Sequence, residues 1–108
     1  MKNRQLRDAV DLEEALAAER CLLFKHSPRC GISVSAYKEV EAFLAGHPEV
    51  PARWLDVRPQ RAFSDDITER TGVRHASPQV LWIVGGDVVW HGSHFDIDRA
   101  TLARVTAS

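Results

Sequence analysis

The segment CLLFKHSPRCGIS, residues 21–33, joins a predicted buried strand to a predicted helix through a short loop. Residues 21–25 form an apolar run of strand length, and Pro28, which disfavours helix before it, predicts a loop over residues 26–29. From Cys30 onward, apolar residues recur on one face at helical spacing, which predicts an amphipathic helix. The thiol of Cys30 is therefore expected at the start of a helix that directly follows a strand.

The sequence on either side extends this strand and helix to a complete α/β pattern. We predict further helices over residues 11–20, 63–71 and 100–105, and further strands over residues 52–57, 79–84 and 88–91. The resulting order, α-β-α-β-α-β-β-α, predicts a single α/β domain over residues 1–108. A four-stranded mixed sheet flanked by helices on both faces would be the thioredoxin fold, although the order alone also fits other α/β folds.

Short polar and glycine-containing signals mark the ends of these elements. Ser64 is predicted as the N-cap of the third helix, and Gly72 as the residue at which that helix ends. Residues 85–87 (GGD) have tight-turn chemistry, which predicts that the last two strands form a hairpin. Either Asp96 or Asp98 is expected to cap the final helix.

The composition is that of an average globular protein without a strong net charge. Apolar residues make up 44% of the 108 positions, charged residues make up 27%, and the formal net charge is −1. Nucleic acids and membrane surfaces attract a concentrated positive field, so neither is an expected partner. We find neither a secretory signal nor an apolar run of membrane-spanning length, and therefore expect a cytoplasmic protein with reduced cysteines.

Cys30 is the predicted reactive group, because the N-terminus of a helix presents unpaired N–H groups and the positive end of a dipole. Both features favour the thiolate, which is the species that attacks disulfides. Lys25, His26 and Arg29 are expected to add positive charge nearby. Ser33 stands three residues after Cys30, where a dithiol redox motif has its second cysteine. Ser33 can donate a hydrogen bond to the thiolate but cannot resolve a mixed disulfide, which biases Cys30 toward monothiol exchange.

A second segment, Ser77-Pro78, begins the predicted third strand. In the thioredoxin fold, a proline at this position faces the active-site helix and is usually cis, although cis bonds make up only about 5–6% of X-Pro bonds in folded proteins. We therefore predict a cis Ser77–Pro78 bond that leaves the backbone of Ser77 free to pair with an extended thiol substrate.

The remaining chemistry-bearing residues have simpler interpretations. Cys30 itself could be a buried structural thiol, as many free cysteines are. Cys21, at the head of an apolar strand, is expected in the core and too far from Cys30 for a disulfide between them. The five histidines show no zinc-type ligand spacing, so no metal site is predicted.

Three stretches of the sequence together resemble the monothiol bacilliredoxins, small thioredoxin-like proteins of the bacillithiol system. They are residues 24–33 (FKHSPRCGIS), residues 56–58 (DVR) with residues 69–80 (ERTGVRHASPQV), and residues 89–97 (VWHGSHFDI). The resemblance implies a thiol–disulfide oxidoreductase that removes bacillithiol from protein mixed disulfides, with Cys30 as the attacking thiol. It also implies S-thiolated proteins and a low-molecular-weight thiol as partners, with no bound cofactor, and we expect a monomer.

Bacillithiol carries a carboxylate-bearing malate and a glucosamine ring, so its site needs hydrogen-bond donors and positive charge. In this fold, residues 92–94 (GSH) should lie beside Ser77-Pro78 and Cys30. Thioredoxins bury an acid in the first strand to move a proton between two thiols, and Phe24 occupies that place here, in keeping with a single working thiol. The candidates for substrate binding are Lys25, Arg29, Gly31, Ser77, Pro78, Ser93 and His94.

Gly31 departs from the bacilliredoxin pattern, which usually has proline directly after the cysteine. The sequence Cys-Gly-Ile-Ser is similar to the Cys-Gly-Phe-Ser motif of monothiol glutaredoxins, which bind glutathione and can hold a [2Fe–2S] cluster between two subunits. The paired glycines that those proteins have near the last helix have no clean equivalent at residues 92–94. A glutaredoxin-like iron–sulfur protein is therefore the alternative function, and a redox-inert adaptor on the same scaffold is a third.

Overall fold

The computed structural model describes residues 1–107 and contains four α-helices and four β-strands in the predicted order. The helices are α1 (Ala9–Ala17), α2 (Gly31–Gly46), α3 (Arg61–Thr71) and α4 (Arg99–Thr106), and the strands are β1 (Arg20–His26), β2 (Ala52–Asp56), β3 (Gln79–Val84) and β4 (Asp87–Ser93). Two short 3-10 helices cover Lys2–Arg4 and His94–Asp96. Within residues 1–107, none of the helices combines the length and the apolar character needed to cross a bilayer.

The four strands form one mixed sheet in the order β2-β1-β3-β4. Strand β1 pairs parallel with β2 and antiparallel with β3, and β3 pairs antiparallel with β4. Strand β1 is central and the sheet has helices on both faces, so the side chains from Cys21 to His26 are all buried. The α/β class, the mixed sheet and the strand count are as predicted.

Side chains of β1 alternate between two hydrophobic cores, one on each face of the sheet. Leu22 and Phe24 face α2 and pack in one cluster with Phe43. Leu23 faces α3 and packs in a second cluster with Ile67. Helix α4 contributes a leucine to the first cluster, and helix α1 contributes a leucine to the second. Helices therefore cover both faces of the sheet.

Helix α3 begins earlier than predicted. It starts at Arg61 with Gln60 as the N-cap, and Ser64 lies inside the helix as a buried residue. The Ser64 N–H already donates to the Gln60 carbonyl at 3.2 Å, so the prediction that Ser64 caps the helix was wrong. Gly72 ends the helix with a left-handed φ of 71°, as predicted.

The turn and the last cap agree with the sequence. Gly85 and Gly86 both have positive φ, at 60° and 86°, which is the backbone that a two-residue hairpin turn requires. Asp98 caps α4, since its carboxylate accepts a hydrogen bond from the Thr101 N–H at 2.8 Å. Strand β1 runs through His26, so the loop before α2 is shorter than predicted.

The N-terminal segment covers the outer edge of β2. Gln5 forms an isolated parallel bridge with Trp54, and the Leu6 N–H donates to the Trp54 carbonyl at 2.8 Å. The indole Nε1 of Trp54 donates to the Met1 carbonyl at 2.7 Å. These bonds give the edge strand a partner on its second side.

Candidate active site around Cys30

Cys30 is the N-cap residue of α2 and is half-buried. Its backbone is extended, with φ −101° and ψ 125°, and its carbonyl accepts a hydrogen bond from the Val34 N–H at 2.9 Å. The Cys30 N–H donates to the Ser27 carbonyl at 3.0 Å, which closes the loop between β1 and α2. The thiol therefore lies at the positive end of the helix dipole, where the sequence predicted it. Its role as the attacking thiol stays a prediction.

Ser33 is fully buried, and its hydroxyl ties α2 to the end of β1. The Ser27 N–H donates to Ser33 Oγ at 2.8 Å, and His26 Nδ1 lies 2.7 Å from the same oxygen. Within residues 1–107, no hydrogen bond joins this hydroxyl to the Cys30 sulfur. The end of β1 and the loop engage the hydroxyl instead, and a catalytic role for Ser33 stays a prediction.

His26 is buried among aromatic rings and does not supply the positive charge expected near the thiol. Its ring centroid lies 5.3 Å from that of Phe24, 4.8 Å from that of Tyr37 and 5.5 Å from that of Trp54. Burial lowers the pKa of the imidazole, and the carboxylate of Asp56 opposes that effect more weakly. The lowered pKa favours the neutral form of the ring.

The contact between Ser33 and His26 was not predicted from the sequence, although the spacing of buried residues on α2 and on β1 indicates it. Ser33, Ala36, Val40 and Phe43 recur at intervals of three and four, which places Ser33 on the buried stripe of α2. His26 follows the buried Phe24 by two residues, which places it on the same face of β1. Together these spacings direct both side chains into the space between strand and helix.

The Ser77–Pro78 bond is cis, as predicted. In the register of β1 and β3, Lys25 pairs with Gln79, so Ser77–Pro78 lies next to the end of β1 from which the reactive loop departs. The His94 N–H donates to the Pro78 carbonyl at 3.1 Å. This bond brings the end of β4 beside Ser77–Pro78, as the sequence predicted.

The polar side chains at this end of the sheet differ in their surroundings. The Ser77 hydroxyl oxygen is buried and has no hydrogen-bond partner among residues 1–107. The Ser93 N–H donates to the Asp96 carboxylate at 3.2 Å, which fixes the turn that follows β4. His94 is exposed, with a left-handed φ of 53°. Their roles in substrate binding stay predictions.

Gly92 is buried against the indole of Trp90. A Cβ atom at Gly92 would lie 2.6 Å from a ring carbon of Trp90 and 3.1 Å from the Cβ of Asp96. The first distance is well inside van der Waals contact, so close packing at the end of β4 requires glycine.

Lys25 faces the opposite side of the sheet from α2 and is fully buried. Its ammonium lies 3.4 Å from Thr68 Oγ1 on α3 and 3.4 Å from His75 Nδ1. Burial lowers the pKa of Lys25 to about 8, and the carboxylate of Asp65 opposes that effect. Helix α3 covers Lys25 on this face of β1, away from α2, and its role in binding the small thiol stays a prediction.

Arg29 and Gly31, which flank the thiol, are both exposed. Arg29 borders a cleft of about 380 Å³ together with Asp56 and Arg58. A Cβ atom at Gly31 would meet no other atom within 4 Å, so packing does not require glycine at this position. Both residues are free to contact a ligand, and that role stays a prediction for each.

The second cysteine lies away from this site, and the residues described form no cluster of metal ligands. Cys21 is buried near the opposite end of β1, and burial raises the pKa of its thiol to about 11. His26 lies five residue steps along β1 from Cys21, a span of roughly 17 Å, so a disulfide with Cys30 is excluded. In the described part of the chain, residues 1–107, His, Cys, Asp and Glu side chains form no group of three or more that could hold a metal ion.

Two large apolar side chains near the site in sequence are exposed. Ile32, the second residue of α2, is 40% exposed, and Phe95, which follows His94, is 83% exposed.

Comparison with protein families gives a match to the family described as monothiol bacilliredoxin BrxC, over residues 4–102. Among solved structures, one protein described as a putative oxidoreductase with a thioredoxin fold shares 33% sequence identity, with a TM-score of 0.85. The alignment covers 93% of this chain and 89% of that protein.

Thioredoxins are more distant in sequence but similar in fold. The thioredoxin of Fasciola hepatica has 21% identity and a TM-score of 0.76, with 96% of each chain covered. A mutant thioredoxin of Halobacterium salinarum has 19% identity and a TM-score of 0.74, with 94% of this chain and 84% of that chain covered. At these identities the likeness establishes the thioredoxin fold alone.

Proposed function

The chain belongs to the monothiol bacilliredoxin family, a group of thioredoxin-fold thiol–disulfide oxidoreductases, and from that premise we propose that it removes bacillithiol from protein mixed disulfides through Cys30. The observation that carries the proposal is a single half-buried thiol at the start of α2, with a serine three residues later. In this proposal the Cys30 sulfur, as thiolate, is the attacking species.

The reaction has two exchange steps. The Cys30 thiolate attacks the bacillithiol sulfur of the mixed disulfide, a new disulfide forms between Cys30 and bacillithiol, and the protein thiolate leaves and takes a proton from solvent. A second bacillithiol thiolate then attacks the bacillithiol sulfur on Cys30. Oxidised bacillithiol leaves, and the Cys30 thiolate is restored. No protein thiol takes part in the second step, because Ser33 has no sulfur and Cys21 is buried at the other end of β1.

The substrate backbone would lie along the start of β3 in this proposal. Ser77 precedes the cis bond at the edge of the site, and its hydroxyl has no hydrogen-bond partner within residues 1–107. A buried polar group without a partner costs free energy, so a ligand group that pairs with it gains that energy on binding. The exposed Ile32 and Phe95 would contact the protein part of an S-thiolated substrate.

The two cysteines provide a matched test. The Cys30→Ala variant should release no bacillithiol from a bacillithiolated protein, whereas Cys21→Ala should retain the wild-type rate because Cys21 lies in the core. Equal activity of the two variants would refute the role of Cys30. Circular dichroism of both variants controls for folding.

The identity of the small thiol is tested by competition. The protein is incubated with equal amounts of oxidised bacillithiol and oxidised glutathione, and the adduct on Cys30 is measured by mass spectrometry. We expect the bacillithiol adduct to dominate. A dominant glutathione adduct would support the glutaredoxin-like alternative that Gly31 suggests.

A further inference from the structure

Two clefts meet at Arg58 on the side of the molecule next to the reactive loop. One cleft, of about 380 Å³, is bordered by residues Pro28 and Arg29, directly before Cys30. The other, of about 520 Å³, is bordered by Arg61, Ser64, Asp65 and His75. We call the combined feature the arginine groove, defined by Arg29, Arg58, Arg61 and His75.

Three arginines line the arginine groove against two carboxylates, those of Asp56 and Asp65. Arg29 and Arg58 form no ion pair with any residue in the range 1–107. Arg61 reaches Asp65 only at 3.8 Å, in a pair whose two side chains are largely exposed. An exposed pair at that distance holds its arginine weakly, so all three guanidinium groups are available to an anion.

A buried ammonium lies beneath the larger cleft. Lys25 contacts His75 Nδ1 and Thr68 Oγ1, each at 3.4 Å, and makes no ion pair with a carboxylate within residues 1–107. His75 Nδ1 in turn lies 3.1 Å from Ser64 Oγ on the cleft wall. A charge removed from water without a counterion is costly, and an anion bound above it would reduce that cost.

We propose that the arginine groove binds the carboxylate groups of the low-molecular-weight thiol, so that the groove selects a small dicarboxylate as the group removed by Cys30. This inference rests on the proposed function and assigns its substrate-binding residues. Guanidinium groups bind carboxylates through two parallel hydrogen bonds, which suits a malate arm with two carboxylates. Arg29 adjoins Cys30, so a molecule whose sulfur is at the thiol reaches the groove with its acidic arm.

The test compares two peptide mixed disulfides, one with bacillithiol and one with the uncharged 2-mercaptoethanol. The variants are Arg58→Gln and Arg61→Gln, and the control is Arg99→Gln, which removes an exposed arginine on α4. For each groove variant, we expect the ratio of kcat/KM for the bacillithiol substrate to that for the uncharged substrate to fall about five- to tenfold, through a rise in KM. The control should keep the wild-type ratio. An unchanged ratio in both groove variants would overturn the proposal.

A binding measurement separates this proposal from the proposed function. S-methyl bacillithiol, which cannot exchange disulfides, is titrated into the Cys30→Ala protein and into the same protein carrying Arg58→Gln. We expect it to raise the melting temperature of the first protein and to have a clearly smaller effect on the second. The wild-type protein could fail to release bacillithiol while the two proteins still differ in their shift of melting temperature. That result would refute the proposed function and support the groove as the carboxylate site. Equal effects on both proteins would refute the groove whatever the activity.

Discussion

Replacing Lys25 by methionine should stabilise the protein, although it removes a charged group from the middle of the fold. Lys25 is fully buried and has only two neutral contacts, each at 3.4 Å. Its pKa falls from an ordinary value of 10.5 to about 8. The difference between these values corresponds to roughly 3 kcal/mol of folding free energy at about 1.36 kcal/mol for each tenfold change. Methionine has a similar volume and carries no charge, so Lys25→Met should gain about 2–3 kcal/mol at pH 7.

The gain should depend on pH in a defined direction. Below pH 8, the lysine is protonated in both the folded and the unfolded state, and the folded protein bears the full cost of burial. Between pH 8 and pH 10.5, the unfolded chain holds a proton that the folded protein has lost, so the wild-type protein becomes more stable as the pH rises. The advantage of Lys25→Met should therefore fall to about 1 kcal/mol at pH 9.5.

Urea unfolding followed by tryptophan fluorescence at pH 7 and pH 9.5 measures both effects. Lys38→Met is the matched control, because Lys38 is exposed on α2 and its replacement should change the stability by less than about 0.5 kcal/mol. The Cys21 thiol also contributes to the dependence of stability on pH in this alkaline range. Because Cys21 is present in the wild type and in both variants, its contribution cancels in the comparison. A Lys25→Met protein that is less stable than wild type at pH 7 would refute the reasoning. A difference that is the same at both pH values would show that burial does not lower the pKa of Lys25.

Three further substitutions test the packing of the site. Ser33→Ala leaves the Ser27 N–H and the His26 imidazole without their buried partner. The variant should therefore lose about 1–3 kcal/mol of unfolding free energy in urea. An unchanged unfolding midpoint would contradict the hydrogen bonds described. Gly31→Pro should stabilise the protein by about 0.4–1 kcal/mol in the same assay. The first position of a helix accepts proline, and the extended backbone of the preceding residue is compatible with it. A loss of stability would show that the Gly31 N–H is needed. Gly92→Ala should lower stability by about 1–3 kcal/mol, measured by calorimetry, since its methyl group would overlap the indole of Trp90. An unchanged stability would mean that this indole moves aside freely.

The fold could be predicted because its elements have strong local patterns. Residues 79–84 form β3 with the predicted boundaries, since the apolar run is bounded by proline on one side and by two glycines on the other. The start of α3 was harder to find, because its N-cap, Gln60, makes no side-chain capping bond. Without a capping side chain, the sequence carries no local signal for the first turn.

The site was predicted less completely because it depends on which face each side chain meets. Lys25 and His26 are polar residues at the end of an apolar run, which suggests an exposed strand end. They are buried because β1 is central and has a helix on each face. The partners of Lys25, Thr68 and His75, lie more than forty positions away in sequence. No local pattern of residues identifies contacts made at that separation.

The coverage of β2 by the N-terminal segment limits how copies of this protein can associate through their sheets. The Gln5–Trp54 bridge occupies the outer side of β2, whereas β4 is the strand at the other end of the sheet. Fibrils that grow by strand addition need two open edges on every molecule, one to join the preceding copy and one to accept the next. A molecule that offers β4 alone can pair once, so association through the sheet would stop at a dimer. The segment around Gln5 thus leaves β4 as the edge through which this sheet would pair with another copy.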